Sequence, residues 1–284
     1  MNAIELNAHA KINLSIDVIK KRPDGYHEVR MIMQTVRLHD KVVIEKIDKN
    51  IEVECCCGQI PPGSGNIAYK AAKRMLDGYR IAGGVRIKIW KSIPVAAGLA
   101  GGSADAAAVI KGLDRLFSLG LKEDALMALA KEIGADVPFC IKGGTMLAEG
   151  IGEVLTGLHP LPETHIILVK PKISIPTKWV YGNLNLDKIT RRPDMDMLIN
   201  AIKENKIGIV AKGMVNVLET VTAQKYDVIG KIKEKLLELG AEGSMMSGSG
   251  PTVFGIFTDA GAAQRAYDRI KGGPWDCYLT QTVN

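Results

Sequence analysis

The sequence predicts an α+β fold made of two intimately joined parts. Residues 1–60 read almost wholly as strands, the later strands come in groups without regular strand–helix alternation, and no repeat period or sustained heptad appears.

The elements follow in chain order. IELNAHAKINLSIDVI sets Ile4, Leu6, Ile12, Leu14, Ile16 and Val18 in partial alternation, which predicts one or two strands with a break near His9, Ala10 and Lys11. RPDGYH is a turn, because Pro23, Asp24 and Gly25 supply the preferred turn chemistry. VRMIMQTVRL extends again, DKVVIEKI is the next strand, and NIEVECCCG adds one more. The two prolines and the glycine of PPGSG close this run. Ser64 or Asn66 then caps a helix in which Ile67, Ala71 and Met75 recur at helical spacing. GVRIKIWKSI alternates with Val85, Ile87 and Ile89 on one side. A glycine loop follows, then a helix expected from about Ser103 to Leu116, then a helix in KEDALMALAKEIG closed by Gly134. GGTMLAEGIGEVLTGL offers two short strands and THIILVKP a third. KWVYGNL is helical, DKITRRPDMDMLINAI reads as irregular, and DVIGKIKEKLLELGA is an amphipathic helix. EGSMMSGSGPTVFGIFTD turns from a glycine–serine loop into a strand, and AGAAQRAYDRIKG with WDCYLTQTV ends on helix then strand. A soft boundary falls between residues 150 and 180, with no flexible linker to mark it.

Composition narrows the function. A 46% hydrophobic and 24% charged share is that of an ordinary globular protein, and 284 residues suffice for one large core or two moderate ones. No run of eighteen apolar residues reads as a membrane span, and the N-terminus lacks the basic-then-apolar pattern of a signal peptide, so the cytoplasm is the expected compartment. Five cysteines without a CxxC pair suit a reducing setting and give little support to a disulfide scaffold or zinc site. The net charge of +6 suits an anionic substrate, while the even mixing of acids and bases argues against nucleic acid.

PVAAGLAGGSADAAA, residues 94–108, is the informative stretch. Gly98, Gly101 and Gly102 stand between a strand-like run and a helix, where unpaired amides and the helix dipole favour an anion. The competing reading is a tight turn feeding a closely packed alanine-rich helix. Neither the Walker pattern nor G-x-G-x-x-G is present.

That stretch resembles the phosphate-binding motif of the GHMP kinases, the family of galactokinase, homoserine kinase and mevalonate kinase. AHAKINLSIDVIKKRPDGYHEV resembles the family's first motif, MSGSGPTVFGIF its third, and GADVPFCIKGGTMLAEGIGE at 134–153 agrees as well. The match therefore spans nearly the whole chain. The resemblance implies a two-domain GHMP kinase-like α+β fold with a ribosomal protein S5 domain 2-like N-terminal part, an ATP-binding domain at 1–155 and a C-terminal domain at 156–284, enclosing a deep cleft. KINL together with RPDGYH narrows it to the members that use ATP and Mg2+ to phosphorylate the 2-hydroxyl of a methylerythritol unit carrying cytidine diphosphate, in non-mevalonate isoprenoid synthesis. The CCC run at 55–57 fits no motif, and residues 183–210 are less recognisable.

Site roles are carried by the same resemblance. Asp136 receives the acceptor's proton, although alone it reads as a helix cap. Lys11 is implied to lie near it and to stabilise charge on the transferring group; its bland alternative is a strand-edge lysine in water. Asn13, on Lys11's face if both lie in a strand, is implied to contact the erythritol hydroxyls. Tyr26 is implied to stack on cytosine and His27 to hydrogen-bond it, with Tyr181 on the opposite face and Thr177 in the same pocket. Gly98, Leu99, Ala100, Gly101, Gly102 and Ser103 surround the triphosphate, with Asn66 and Lys91 at the nucleotide's edge and Pro94 also among the nucleotide-binding residues. Ser247, Gly248, Ser249 and Gly250 either tighten the active site or form a strand-leading turn. Mg2+ is expected to be held by phosphates and water, with no protein ligand assigned. The implied partner is the small-molecule substrate alone, on a monomer or weak homodimer. A homoserine or mevalonate type kinase and a non-catalytic nucleotide-binding regulator are the rival readings.

Overall fold

The protein is described by a computed structural model over residues 1–56, 58 and 63–284. Pro61 and Pro62 of the expected chain break, and Cys57 of the cysteine run, lie outside the described residues. Two compact units emerge. The first holds residues 1–10, 38–95 and 100–142; the second holds 11–37, 96–99 and 143–284.

Two long strands open the chain, β1 (Ala3–Lys21) and β2 (His27–Ile47). The break expected near His9 is not there, because β1 runs unbroken through it; yet residue 10 is where this strand passes from one unit to the other. VRMIMQTVRL and DKVVIEKI likewise form one strand instead of two. There follow β3 (Ile51–Cys55), α1 (Ile67–Gly78), β4 (Gly84–Trp90), α2 (Gly101–Leu116), α3 (Glu123–Ile133) and α4 (Val137–Lys142), all in the first unit. Asn66 caps α1 by accepting from the Ala68 N–H, and Gly134 closes α3.

In the first unit β2 pairs antiparallel with β4 from Lys41–Trp90 to Ile47–Gly84, and β4 pairs parallel with β3. Val85, Ile87 and Ile89 of β4 are buried as their alternation predicts, beside the buried Ala71 and Met75 of α1. α2 packs on α1 and α4, with its buried alanines Ala104, Ala106, Ala107 and Ala108.

The second unit continues with β5 (Thr145–Glu149), β6 (Val154–Gly157) and β7 (His165–Lys170). Next come α5 (Thr177–Asn183), α6 (Met195–Lys203), α7 (Ile207–Gly213), α8 (Glu219–Lys225) and α9 (Val228–Glu238). The last four elements are β8 (Gly243–Met246), β9 (Val253–Phe257), α10 (Ala260–Ile270) and β10 (Asp276–Gln281). Here the N-terminal half of β2 pairs antiparallel with β5, and β5 with β6. A four-stranded antiparallel sheet has the order β10-β7-β9-β8. Every residue of β9 is buried, with α9 and α10 packing against it. The stretch expected to be irregular contains α6, whose Asp194 side chain accepts from the Met197 N–H at 2.9 Å. The glycine–serine loop at 247–250 is preceded by a strand of its own, β8.

Candidate active site

In the second unit β1 presents Lys11 and Asn13 two residues apart, hence on one face. Lys11 is 4% exposed and Asn13 fully buried, and the lysine Nζ donates to Asn13 Oδ1 at 2.6 Å. Lys11 is therefore not the solvated strand-edge lysine of the alternative reading. Its own N–H donates to the Leu99 carbonyl at 3.1 Å, which fixes the first half of the glycine loop beside it. Ser247 ties the third motif to the same place: its Oγ donates to the Gly98 carbonyl at 3.0 Å and accepts from the Asn13 N–H at 3.4 Å. Gly98 has φ +75°, and a Cβ there would collide with the Ser247 carbonyl, so glycine is required on both counts. Thr177 Oγ1 and Ser249 Oγ are 2.8 Å apart.

Of the aromatic residues expected at the cytosine, His27 and Tyr181 contact one another, with ring centroids 5.2 Å apart. Tyr26 is 60% exposed, at the end of a turn where its N–H donates to Asp24 Oδ1. Burial, with the charge of Lys21 adding to it, holds the His27 imidazole below its usual value and so favours the neutral ring.

In the first unit α2 starts at Gly101, two residues before the expected Ser103, behind Ala100 in the left-handed region at φ +57°. Gly101, Gly102 and Ser103 thus form the first turn of a 16-residue helix, where N–H groups have no partner within the helix. A Cβ on Gly101 would stand 3.3 Å from Lys91 Nζ and 3.0 Å from Ile93, and one on Gly102 3.3 Å from Ile67. Pro94 lies between Ile93 and this loop, half-buried. Asn66 is 4% exposed; its Oδ1 is used in capping α1, while its Nδ2 is buried with no hydrogen-bond partner among the described residues. Such an orphaned donor is costly to bury and suits a ligand acceptor.

Lys91, expected to reach for the nucleotide, has its ammonium engaged by two carboxylates, Asp40 and, at 2.7 Å, Asp105. Buried charges must be paired, and this one is neutralised inside the fold instead of standing free. Asp40 also accepts from the N–H groups of Ser92 and Ile93 at 2.6 and 2.8 Å. Asp105 is pushed up to about 7 by burial, against the pull of Lys91 and with the charge of Asp40 adding to the rise. Sequence reasoning missed both aspartates. For Asp105 the signal was present: it lies among Ala104, Ala106, Ala107 and Ala108, all buried, so its carboxylate needed a cation.

Asp136 is half-buried between α3 and α4, and its carbonyl accepts from the Cys140 N–H. Lys111 of α2 reaches the far end of α4 and donates to the carbonyls of Cys140 and Ile141 at 3.2 and 3.4 Å. α2 is in this way tied to the short helix that follows Asp136.

These features gain meaning from comparison. The family description GHMP kinases N terminal domain matches residues 66–144, and GHMP kinases C terminal matches 198–273. A 4-diphosphocytidyl-2-C-methyl-D-erythritol kinase of Acetivibrio thermocellus is 62% identical over 283 residues, covering 100% of both chains. The chain belongs to the 4-diphosphocytidyl-2-C-methyl-D-erythritol kinases of the GHMP family. A solved 4-(cytidine 5'-diphospho)-2C-methyl-D-erythritol kinase superposes with a TM-score of 0.86 at 30% identity, over 99% of this chain and 100% of that one. A homoserine kinase of Cytophaga hutchinsonii gives a TM-score of 0.80 over 100% and 95% of the two chains, but at 20% identity this shows a shared fold alone. The protein is thus a two-domain α+β GHMP kinase, an ATP-dependent enzyme that transfers a phosphoryl group to an alcohol. For a GHMP kinase the orphaned Asn66 Nδ2 and the glycine-lined start of α2 fit a nucleotide. Among the described residues no group of three or more histidine, cysteine or acidic side chains is arranged to hold a metal ion.

Proposed function

We propose that this chain transfers the γ-phosphoryl group of ATP to the 2-hydroxyl of 4-diphosphocytidyl-2-C-methyl-D-erythritol, giving the 2-phosphate and ADP within non-mevalonate isoprenoid synthesis. The observation that carries this reading is full-length identity of 62% to a kinase of that name.

In the proposed reaction the acceptor oxygen bonds to the γ-phosphorus, the bond to ADP breaks, and the hydroxyl proton passes to Asp136. Lys11, held by Asn13, stabilises charge on the transferring group. Gly98, Leu99, Ala100, Gly101, Gly102 and Ser103 line the triphosphate, Asn66 Nδ2 donates to the base, and Pro94 sets the loop's entry. Lys91 acts on the phosphates through its position beneath Gly101 and not as a free cation. Bound to the nucleotide's own phosphates and water, Mg2+ would supply screening of the phosphate charge, with no protein ligand assigned to it. Asn13 takes an erythritol hydroxyl, and the His27–Tyr181 pair with Tyr26 and Thr177 receives the cytidine end. Exposed Tyr26 is free to close over that base, which adds stacking.

The division of the chain at 155 and 156 is kept as a proposal, supported by family matches that end at 144 and resume at 198. We assign the enzyme to the cytoplasm, where ATP is made available, as a monomer or weak homodimer without nucleic acid or membrane partners. No described helix is long and apolar enough to cross a membrane.

The test offers purified protein ATP, Mg2+ and, separately, 4-diphosphocytidyl-2-C-methyl-D-erythritol, homoserine and mevalonate, and follows ADP release. Turnover with the first alone is expected. Preference for homoserine or mevalonate overturns the substrate, and no ADP with any acceptor overturns the reaction.

A further inference from the structure

We propose that Asn216 and Glu219 form a staple that sets the position of the glycine turn at 247–250, and that turnover depends on it. They are positioning residues, outside every motif that the sequence singles out, and the inference rests on the reaction proposed above.

The argument starts from burial. Asn216 sits in the apolar run GMVNVLE and is 3% exposed, so its amide must be satisfied from within. Its Nδ2 donates to the carbonyls of Met246 and Gly248, each at 2.8 Å, and its Oδ1 accepts from the Leu218 N–H at 3.0 Å. Three residues on, Glu219 Oε1 accepts from the Met246 N–H at 2.7 Å, while its Oε2 receives Lys233 Nζ at 2.5 Å. Two side chains therefore hold three backbone groups at the start of the turn. The staple is itself fixed to β1, since the Ile16 N–H donates to Val215 O at 2.9 Å and the Val217 N–H to Ile16 O at 3.1 Å.

What the turn holds gives the staple its consequence. Ser247 supports Gly98 of the phosphate loop and Asn13 beside Lys11, and Ser249 meets Thr177. Misplacement of this backbone by a fraction of an ångström would move the nucleotide loop and the substrate contacts together, without removing a group that touches either.

The experiment compares wild type, Asn216→Ala and Asn216→Asp in the coupled ADP assay, well below each thermal midpoint. Asn216→Asp is nearly isosteric and turns a carboxylate oxygen toward two carbonyls in place of the donor. Both variants are expected to lose about 10-fold or more in kcat per folded molecule. A merely structural role would lower the midpoint and leave kcat and both KM values unchanged, and that result overturns the proposal. Should neither variant fold, Glu219→Ala and Glu219→Gln decide. Gln keeps the acceptor for Met246 and should recover most of what Ala loses, whereas equal activity in the pair overturns the staple. Wild type that forms no ADP refutes the proposed reaction instead, so the two failures are distinct.

Discussion

Asp136 and Asp105 are both carboxylates of the first unit, in different surroundings. Asp136, the proposed base, is half-buried just ahead of α4. Asp136→Asn is expected to keep nucleotide binding, read as a thermal shift with an ATP analogue, and to lower kcat by about 100-fold or more. Equal turnover in variant and parent would remove it as the base. Asp105 is buried beside Lys91, and burial lifts its value from 3.8 to about 7. Between those values the folded state holds a proton that the unfolded state has lost. The stability from this group is therefore full below the lower value and disappears as pH rises through the upper one. Asparagine is neutral throughout, so the midpoint of Asp105→Asn should gain on wild type as the buffer moves from about pH 4 to about pH 7. A difference that stays constant over that range would show that Asp105 does not titrate there.

The loop and helix of residues 96–116 show how element-level reading succeeded and where it stopped. A start at about Ser103 was expected, with the glycines before it read as loop. The helix begins at Gly101 because Lys91, Ile93 and Ile67 crowd that turn and reward the residue without a side chain. Similar close approach governs Gly98, where alanine would meet both an unfavourable φ and the Ser247 backbone. Gly98→Ala should cost about 1–3 kcal/mol in urea unfolding and weaken ATP-analogue binding. An unchanged unfolding midpoint would deny the collision. Strand alternation and the Asn66 cap were legible because they are local. α6 was missed although Asp194 supplied a cap, since the preceding RRPD reads as loop. The engagement of Lys91 by Asp40, and of residues 246–248 by Asn216, joins positions 51 or about 30 apart, and nothing in the local pattern announces such pairs.

At the scale of the molecule, the chain passes between its two units five times, at 10/11, 37/38, 95/96, 99/100 and 142/143. A linear reading expects one boundary, because linker composition is the only signal that a sequence offers for it. The physical reason for the interleaving lies in β1 and β2, each long enough to serve both units. The second unit also draws on residues far along the chain. The Val283 N–H donates to Thr35 O at 3.0 Å, Gln34 Nε2 to Val283 O at 2.9 Å, and the Thr164 N–H to Thr282 Oγ1 at 2.9 Å. Deleting residues 282–284 should remove one of the two acceptors of Gln34 Nε2 and the Val283 donor to Thr35 O, and lower the thermal midpoint by several degrees, on the order of 2–8 °C. A truncated protein as stable as its parent would show that these bonds are dispensable. The same bonds order assembly in time: Thr35 O and Gln34 Nε2 gain their Val283 partners only after position 283 has been synthesised. Pairing across so many residues is slow to form, and surface left open meanwhile is prone to association with other chains.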